Sequence, residues 1–160
     1  MRREPAPPQV QTDYEFGEVL GKGGFGEVRR GKRKADGKVV AIKTISKLQF
    51  KTEQDHADMI NEVELMQRVK GHPNVCEQLD WYEDRTGFFV VLEVASGGEL
   101  MDRIVKLNHF SEKVAAFYFR QMLLALDHCH RKLVVHRDRE QGSVVDEEGG
   151  GARGNVRGGG

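Results

Sequence analysis

The chain has 160 residues, of which 38% are hydrophobic and 31% charged, and its 25 basic and 25 acidic side chains cancel. That is the composition of one ordinary soluble globular domain, and the zero balance removes any bulk-charge argument for a nucleic-acid or membrane partner. Two cysteines, Cys76 and Cys129, are too few for a disulfide framework and read as small buried hydrophobes. The first ten residues carry charge without an apolar core, position 2 is Arg2 rather than the glycine of a myristoylation signal, and no run approaches the roughly 18 apolar residues of a membrane span. The expectation is an intracellular, cytoplasmic protein.

Residues 1–12 hold three of the four prolines and read as a disordered lead-in. From Tyr14 the pattern is that of a strand, "YEFGEVL", then a Gly-rich break, then a second strand, "GEVRRGKR". The turn "KADG" at 34–37 leads into "KVVAIKTIS", a hairpin signal. Thr52 followed by Glu53-Gln54-Asp55 marks a capped helix start, and Gly71 and Pro73 stop that helix after about Val69. Two further strands, "VCEQLDWYE" and "GFFVVLEV", are joined by the turn "DRTG". After Gly97-Gly98 the pattern becomes helical, with a short segment near 99–106 and a long one from after Ser111 to about Arg131. About five strands with one inserted helix, followed by helices, predict an α+β layout with a sheet-rich half and a helical half. Residues 142–160 contain eight of the 19 glycines, cannot build a core and read as a disordered tail.

Charge is unevenly placed along this order. Residues 29–51 hold nine Lys or Arg against one acid, Asp36, whereas 52–66 hold five acids and no Lys or Arg.

"GKGGFG", Gly21 to Gly26, fits G-x-G-x-x-G. In a dinucleotide turn such a loop runs from strand into helix. Here it runs from strand into strand, which makes a Gly-rich flap able to fold over phosphates, or a plain Gly-rich hairpin. Lys43 interrupts the otherwise apolar face Val39-Ala41-Ile45 of its strand. It is either an edge residue snorkelling to water or an ammonium facing phosphate oxygens beneath the flap. On the following helix Met59, Glu62, Met66 and Val69 share helical spacing, and a carboxylate on a packing face is costly unless paired. Glu62 is either a solvated boundary residue or the ion-pair partner of Lys43.

Taken in order, "LGKGGFGEV", "VAIK", Glu62 in "NEVELM", "GHPNV", "VVLEVASGGELMDRI" and "HRD" resemble a eukaryotic protein kinase domain over residues 14–138. The stretch "GGELMDRI…FSEKVAAFYFRQMLLALDHCH" is most similar to the serine/threonine kinases of the calcium/calmodulin-dependent and calcium-dependent groups. The resemblance implies a kinase N-lobe of five antiparallel strands plus one helix and hinge start over 13–94, and a partial, incomplete helical C-lobe over 95–141. It implies ATP as cofactor, with Leu20, Gly21, Gly23 and Gly26 shaping the flap, Val28 and Ala41 sandwiching adenine, and Lys43 on the phosphates held by Glu62. Leu92 falls at the gatekeeper position. The Glu93 carbonyl and Ala95 amide would read the adenine edge, and Glu99 would contact ribose or a basic substrate residue, unless it is a first-turn acid favoured by the helix dipole. Asp138 would accept the proton of a protein substrate's hydroxyl.

The pattern departs from the family after Asp138. In place of Leu-Lys-Pro-Glu-Asn stand Arg139-Glu140-Gln141-Gly142-Ser143, and the sequence contains no Asp-Phe-Gly. In direct register Glu140 replaces the phosphate-contacting Lys and Ser143 the metal-binding Asn. A register with two residues deleted puts Gln141 at the Asn place and still lacks the Lys. The family's Mg²⁺ is thus expected without its usual ligands. This implies a kinase by descent whose truncated chain is inactive, or alternatively a nucleotide-binding pseudokinase or regulatory module with a protein partner. A Gly/Arg tail with Arg153 and Arg157 and no aromatics does not favour RNA binding. Val114, Phe117, Phe119, Leu123, Leu124 and Leu126 surround much of the last helix, so some of that apolar surface is expected to be exposed.

Overall fold

The computed structural model describes residues 9–23, 26–95, 97–98 and 100–135. Among them, 9–94 with 121–135 make one compact unit and 95–120 belong to a second. The first unit carries α1 (Gln9–Asp13), β1 (Tyr14–Gly23), β2 (Gly26–Arg33), β3 (Val39–Ser46), α2 (Glu53–Arg68), β4 (Gln78–Glu83) and β5 (Gly87–Glu93). Of the two later helices, α3 (Leu100–Leu107) lies in the second unit, and α4 (Glu112–Arg131) contributes its residues from Gln121 onward to the first.

All strand pairs are antiparallel and the sheet order is β1-β2-β3-β5-β4. The strands form where alternation predicts them, and the turns that join them hold themselves together. Between β2 and β3, Asp36 bridges the Arg33 guanidinium (2.6 Å) and the Lys38 amide (3.0 Å), and the Arg33 contact holds the Asp36 carboxyl down to about 2. Gly37 takes the positive φ of 74° that this turn requires. Between β4 and β5, one oxygen of Asp84 accepts from the Thr86 amide, the Thr86 hydroxyl and the Gly87 amide at 2.6–2.9 Å. That satisfies the donors of a tight turn.

The two sheet faces bury separate cores. On one, Val40, Ile42, Phe89 and Val91 pack with Val10 and Tyr14, flanked by Phe16, Leu79 and Tyr82. On the other, Ile45, Phe88 and Val90 pack beneath Met59 and Val63 of α2, with Phe50, Ile60 and Leu92 alongside. Each large apolar side chain buried this way contributes about 1.5–3 kcal/mol. The alternation is strict because neighbouring side chains of a strand point to opposite faces: in β5, Phe89 and Val91 serve one core, Phe88, Val90 and Leu92 the other.

The N-terminal lead-in, expected to be disordered over 1–12, is a helix from Gln9. Val10 is fully buried against the sheet. Tyr82 Oη donates to Asp13 (2.9 Å), Lys34 reaches the Asp13 and Gln11 carbonyls (2.9 and 2.6 Å), and Tyr14 Oη donates to Asp80. Burial and the Asp80 carboxylate push the Tyr14 phenol up to about 12.

Helix α2 starts as its sequence predicts: Thr52 accepts from the Asp55 amide, and Asp55 accepts from the Thr52 amide, a reciprocal capping box. Its N-terminal end is tied to the sheet by Glu83, whose carboxylate meets Lys47 Nζ (2.5 Å) and accepts from His56 Nε2 (2.7 Å). These two contacts hold the Glu83 carboxyl below its usual range.

The cysteines differ from expectation in part. Neither forms a disulfide, and Cys129 is half-buried with its thiol pushed up by burial, but Cys76 is exposed. In the second unit, Ser111 precedes α4 and accepts from the Val114 amide (3.4 Å), while Phe110 stacks on Tyr118 at 5.3 Å. The six apolar residues expected on the surface of α4 are 39–59% exposed. Among the described residues no helix is long and apolar enough to cross a membrane.

One core position is polar. Gln78 is fully buried and neither its amide nitrogen nor its oxygen has a protein partner. An unpaired buried amide costs roughly 1–3 kcal/mol, and leucine is of similar volume. Gln78→Leu is therefore expected to raise unfolding stability by about 1–3 kcal/mol, read as a higher urea midpoint with an unchanged slope.

Candidate functional site

The antiparallel register gathers four candidate residues of the first unit, Val28, Ala41, Lys43 and Leu92, on one sheet face. Residues directly opposite one another across antiparallel strands share a face. Val28 of β2 stands opposite Lys43 of β3, and Lys43 opposite Val90 of β5. One step along, Arg30, Ala41, Leu92 and Gln78 form a second cross-strand row. Val28, Ala41, Lys43 and Leu92 thus lie on the face that α2 covers, as apolar side chains with a single ammonium among them. Ala41 is buried, while Val28, Lys43 and Leu92 are half-buried.

The flap over this face is the β1–β2 hairpin. Gly21 pairs with Val28 and Gly23 with Gly26, while Leu20 sits, 43% exposed, at a register irregularity between Val19 and Gly21. A Cβ at Gly21 or Gly23 would meet nothing within 4 Å among the described residues, whose side chains leave both backbones unscreened. Gly26 is different. Its φ is +150°, and a Cβ there would collide with the Thr44 carbonyl oxygen, so β2 approaches β3 only because residue 26 has no side chain. The loop tip, Gly24 and Phe25, lies outside the described residues.

Glu62 is on α2, but not on its buried stripe. The residues that enter the core are Met59 and Val63, with Ile60 beside them, and Glu62 next to Val63 is exposed. Among the described residues no ion pair within 4.0 Å joins Lys43 to Glu62, and what the structure supplies is the two residues on facing elements.

Glu93 ends β5 and is locked to the segment before β4 by two bonds. Its amide donates to the Glu77 carbonyl (2.9 Å), and its side-chain carboxylate accepts from the Glu77 amide (2.8 Å). This clamp, not legible from the sequence, fixes the backbone at residue 93. Ala95 belongs to the second unit, in a stretch without regular secondary structure. Glu99, His136, Arg137 and Asp138 lie outside the described residues, as do the altered positions 139–143 and the Gly-rich tail.

The face suits an adenine nucleotide. An apolar row can take a flat ring, bare glycine backbone can approach phosphate oxygens, and Lys43 can neutralise them. Among the described residues there is no group of three or more His, Cys, Asp or Glu side chains that could hold a metal ion.

The protein kinase domain model matches residues 14–141. The chain belongs to the protein kinase domain family. It is 38% identical over 136 residues to calcium-dependent protein kinase 20 of Oryza sativa subsp. japonica, covering 85% of this chain and 25% of the relative. To the calcium/calmodulin-dependent protein kinase type 1 of Macrobrachium nipponense it is 40% identical over 132 residues, 82% of this chain and 37% of the relative. To the serine/threonine-protein kinase PEPKR2 of Arabidopsis thaliana it is 41% identical over 137 residues, 86% of this chain and 28% of the relative. The chain thus spans about a quarter to somewhat over a third of the curated relatives it matches. The kinase-like sheet order and the helices that follow it agree with this membership.

The Glu77–Glu93 clamp can be tested by truncating each side chain. Glu93→Ala removes the acceptor of the partly buried Glu77 amide and should cost about 1 kcal/mol. Glu77→Ala keeps both backbone groups, losing only the exposed contact with Lys70 at 3.5 Å, and should stay within about 0.5 kcal/mol of the parent. Urea unfolding of the two variants checks the order.

Proposed function

We propose that this kinase domain binds ATP on the sheet face of Val28, Ala41, Lys43 and Leu92, beneath the Gly21–Gly26 flap. The observation that carries the reading is the cross-strand register, which sets Lys43 between Val28 and Val90 and Ala41 beside Leu92. Adenine lies between Val28 and Ala41, with its edge at the Glu93 carbonyl and the Ala95 amide. Leu92 closes the rear, and Glu99 meets the ribose or a basic substrate residue. Backbone amides of Gly21, Gly23 and Gly26, with Leu20 at the strand end, line the phosphates. Lys43 holds the α- and β-phosphates and swings onto Glu62 when α2 moves inward.

The reaction class is transfer of the ATP γ-phosphate to a serine or threonine hydroxyl of a protein, with Asp138 as proton acceptor. The name of one relative, a serine/threonine-protein kinase of Arabidopsis thaliana, supports a serine or threonine acceptor. Mg²⁺, when bound with ATP, neutralises charge on the phosphates.

The chain as written binds nucleotide but transfers phosphate negligibly. Phosphoryl transfer is positioning plus charge neutralisation, and the residues after Asp138 supply neither the lysine nor the asparagine of the family. In the direct register Glu140 would stand in the lysine's place and add repulsion at the γ-phosphate. A nucleotide-binding module acting through its surface is the activity that this leaves.

Two measurements separate binding from transfer. ATP should raise the melting temperature of the chain, and Lys43→Met should weaken that binding roughly ten- to a hundredfold, the loss of one charge-assisted phosphate contact. In a radiolabelled transfer assay with a basic peptide, the chain should give no more signal than Lys43→Met. An equal thermal shift in both proteins refutes the ATP face, and a parent signal above the variant refutes inactivity.

A further inference from the structure

Away from the sheet face, two histidines that are 56 positions apart stack on each other. His72 lies in the loop after α2 and His128 in the second half of α4, with ring centroids 4.8 Å apart and planes 28° from parallel. Both are half-buried. Around the stack run the bonds that hold this loop to the helix. His128 Nε2 donates to the Val69 carbonyl (2.9 Å), and Asn74 Nδ2 donates to Gln121 Oε1 (2.7 Å). A third bond lies within the loop: the Asn74 amide donates to His72 Nδ1 (3.2 Å).

The two rings answer a proton differently. His128 bonds through an N–H to a carbonyl, a contact that a charged imidazolium makes as well as a neutral imidazole. His72 Nδ1 is an acceptor, which requires that nitrogen to be unprotonated. Protonation there removes the acceptor of the Asn74 amide and sets a positive ring against His128. We infer that the His72–His128 stack is an acid-operated joint, fastening the loop after α2 to α4 while His72 is neutral and releasing it when His72 takes a proton.

The surrounding charges do not override this. On α4, Asp127, which pairs with Arg131 at 2.8 Å, favours a charged His72, but by less than burial and His128 disfavour it. In the loop, Lys70 and Glu77 pair with each other at 3.5 Å. Burial first, and then His128, hold the His72 imidazole below its usual range. Because its folded value is depressed, the unfolded chain binds more protons as the pH drops below about 6.5. The stability this site gives is therefore complete above that pH and is lost as pH falls through the folded value. The joint sits between two functional segments in sequence: the loop follows the helix that bears Glu62, and α4 leads on to His136-Arg137-Asp138.

NMR titration of the whole chain from pH 8 to 5 tests this directly. The His72 ring signals should titrate below the ordinary histidine value, and the Asn74 and Gln121 side-chain amide signals should shift with the same midpoint. In His128→Phe, which keeps an aromatic ring and removes the second imidazole, the His72 midpoint should rise. Asn74 signals that stay still while His72 titrates in the parent chain overturn the joint without need of any variant. An unchanged His72 midpoint in a folded His128→Phe overturns the coupling between the rings.

Discussion

Everything in the first unit hangs on β5 being buried on both faces and paired on both edges. It lies between β3 and β4, and the consecutive residues Phe88 to Val91 are all buried. A strand so placed cannot slip by one residue, since a slip would send every side chain into the wrong core. That constraint sets Leu92 opposite Ala41 and Val90 opposite Lys43. It also delivers Glu93 to the end of the strand at a fixed height, where the Glu77 amide and carbonyl secure it. The candidate nucleotide face is thus a by-product of register, and register is a product of two cores sharing one strand.

The flap approaches β3 through a glycine that no other residue can replace without collision, while a Cβ added at its outer glycines would meet nothing within 4 Å. Helix α2 rests on Met59 and Val63 and is pinned at one end by Glu83, with Lys47 and His56 on the same carboxylate. At its other end it passes into the loop whose hold on α4 depends on a pair of imidazoles. Glu62 lies between these two anchorages on an exposed flank, so its distance from Lys43 follows from how the helix is seated.

Much of this was legible in the sequence, because strands, turns and caps are local. The alternating face of "VVAIKTI", the apolar run of "GFFVVLE", the Asp-Gly turn at 36–37 and the Thr52 cap each act within a few residues, and each appears where expected. What escaped was long-range. A stripe drawn through Met59, Glu62 and Met66 is as regular on paper as one through Met59, Ile60 and Val63, and only the sheet beneath decides which is inward. The disordered lead-in was read from prolines at 5, 7 and 8, whose composition masked the single apolar residue that matters, Val10. Gln78 looks like any polar residue on a half-exposed strand until a neighbouring element covers it. The stacking of His72 on His128 has no local signature, although both residues lie in motifs that carry the family resemblance. For the site, the sequence named the candidate residues of the flap, β3 and β5, and only the register shows that Val28, Ala41, Lys43 and Leu92 share one face; the segment that departs from the family pattern lies outside the described residues.

The short helix before β1 has a practical meaning. The family match begins at Tyr14, one residue after α1 ends. A fragment cut at that boundary would remove Val10 from the middle of a core and strip Tyr82 and Lys34 of their partners at Asp13 and Gln11. The unit that folds is therefore longer than the unit that family comparison recognises. Its first turn is a plug fitted to the back of the sheet, on the side away from the candidate nucleotide face.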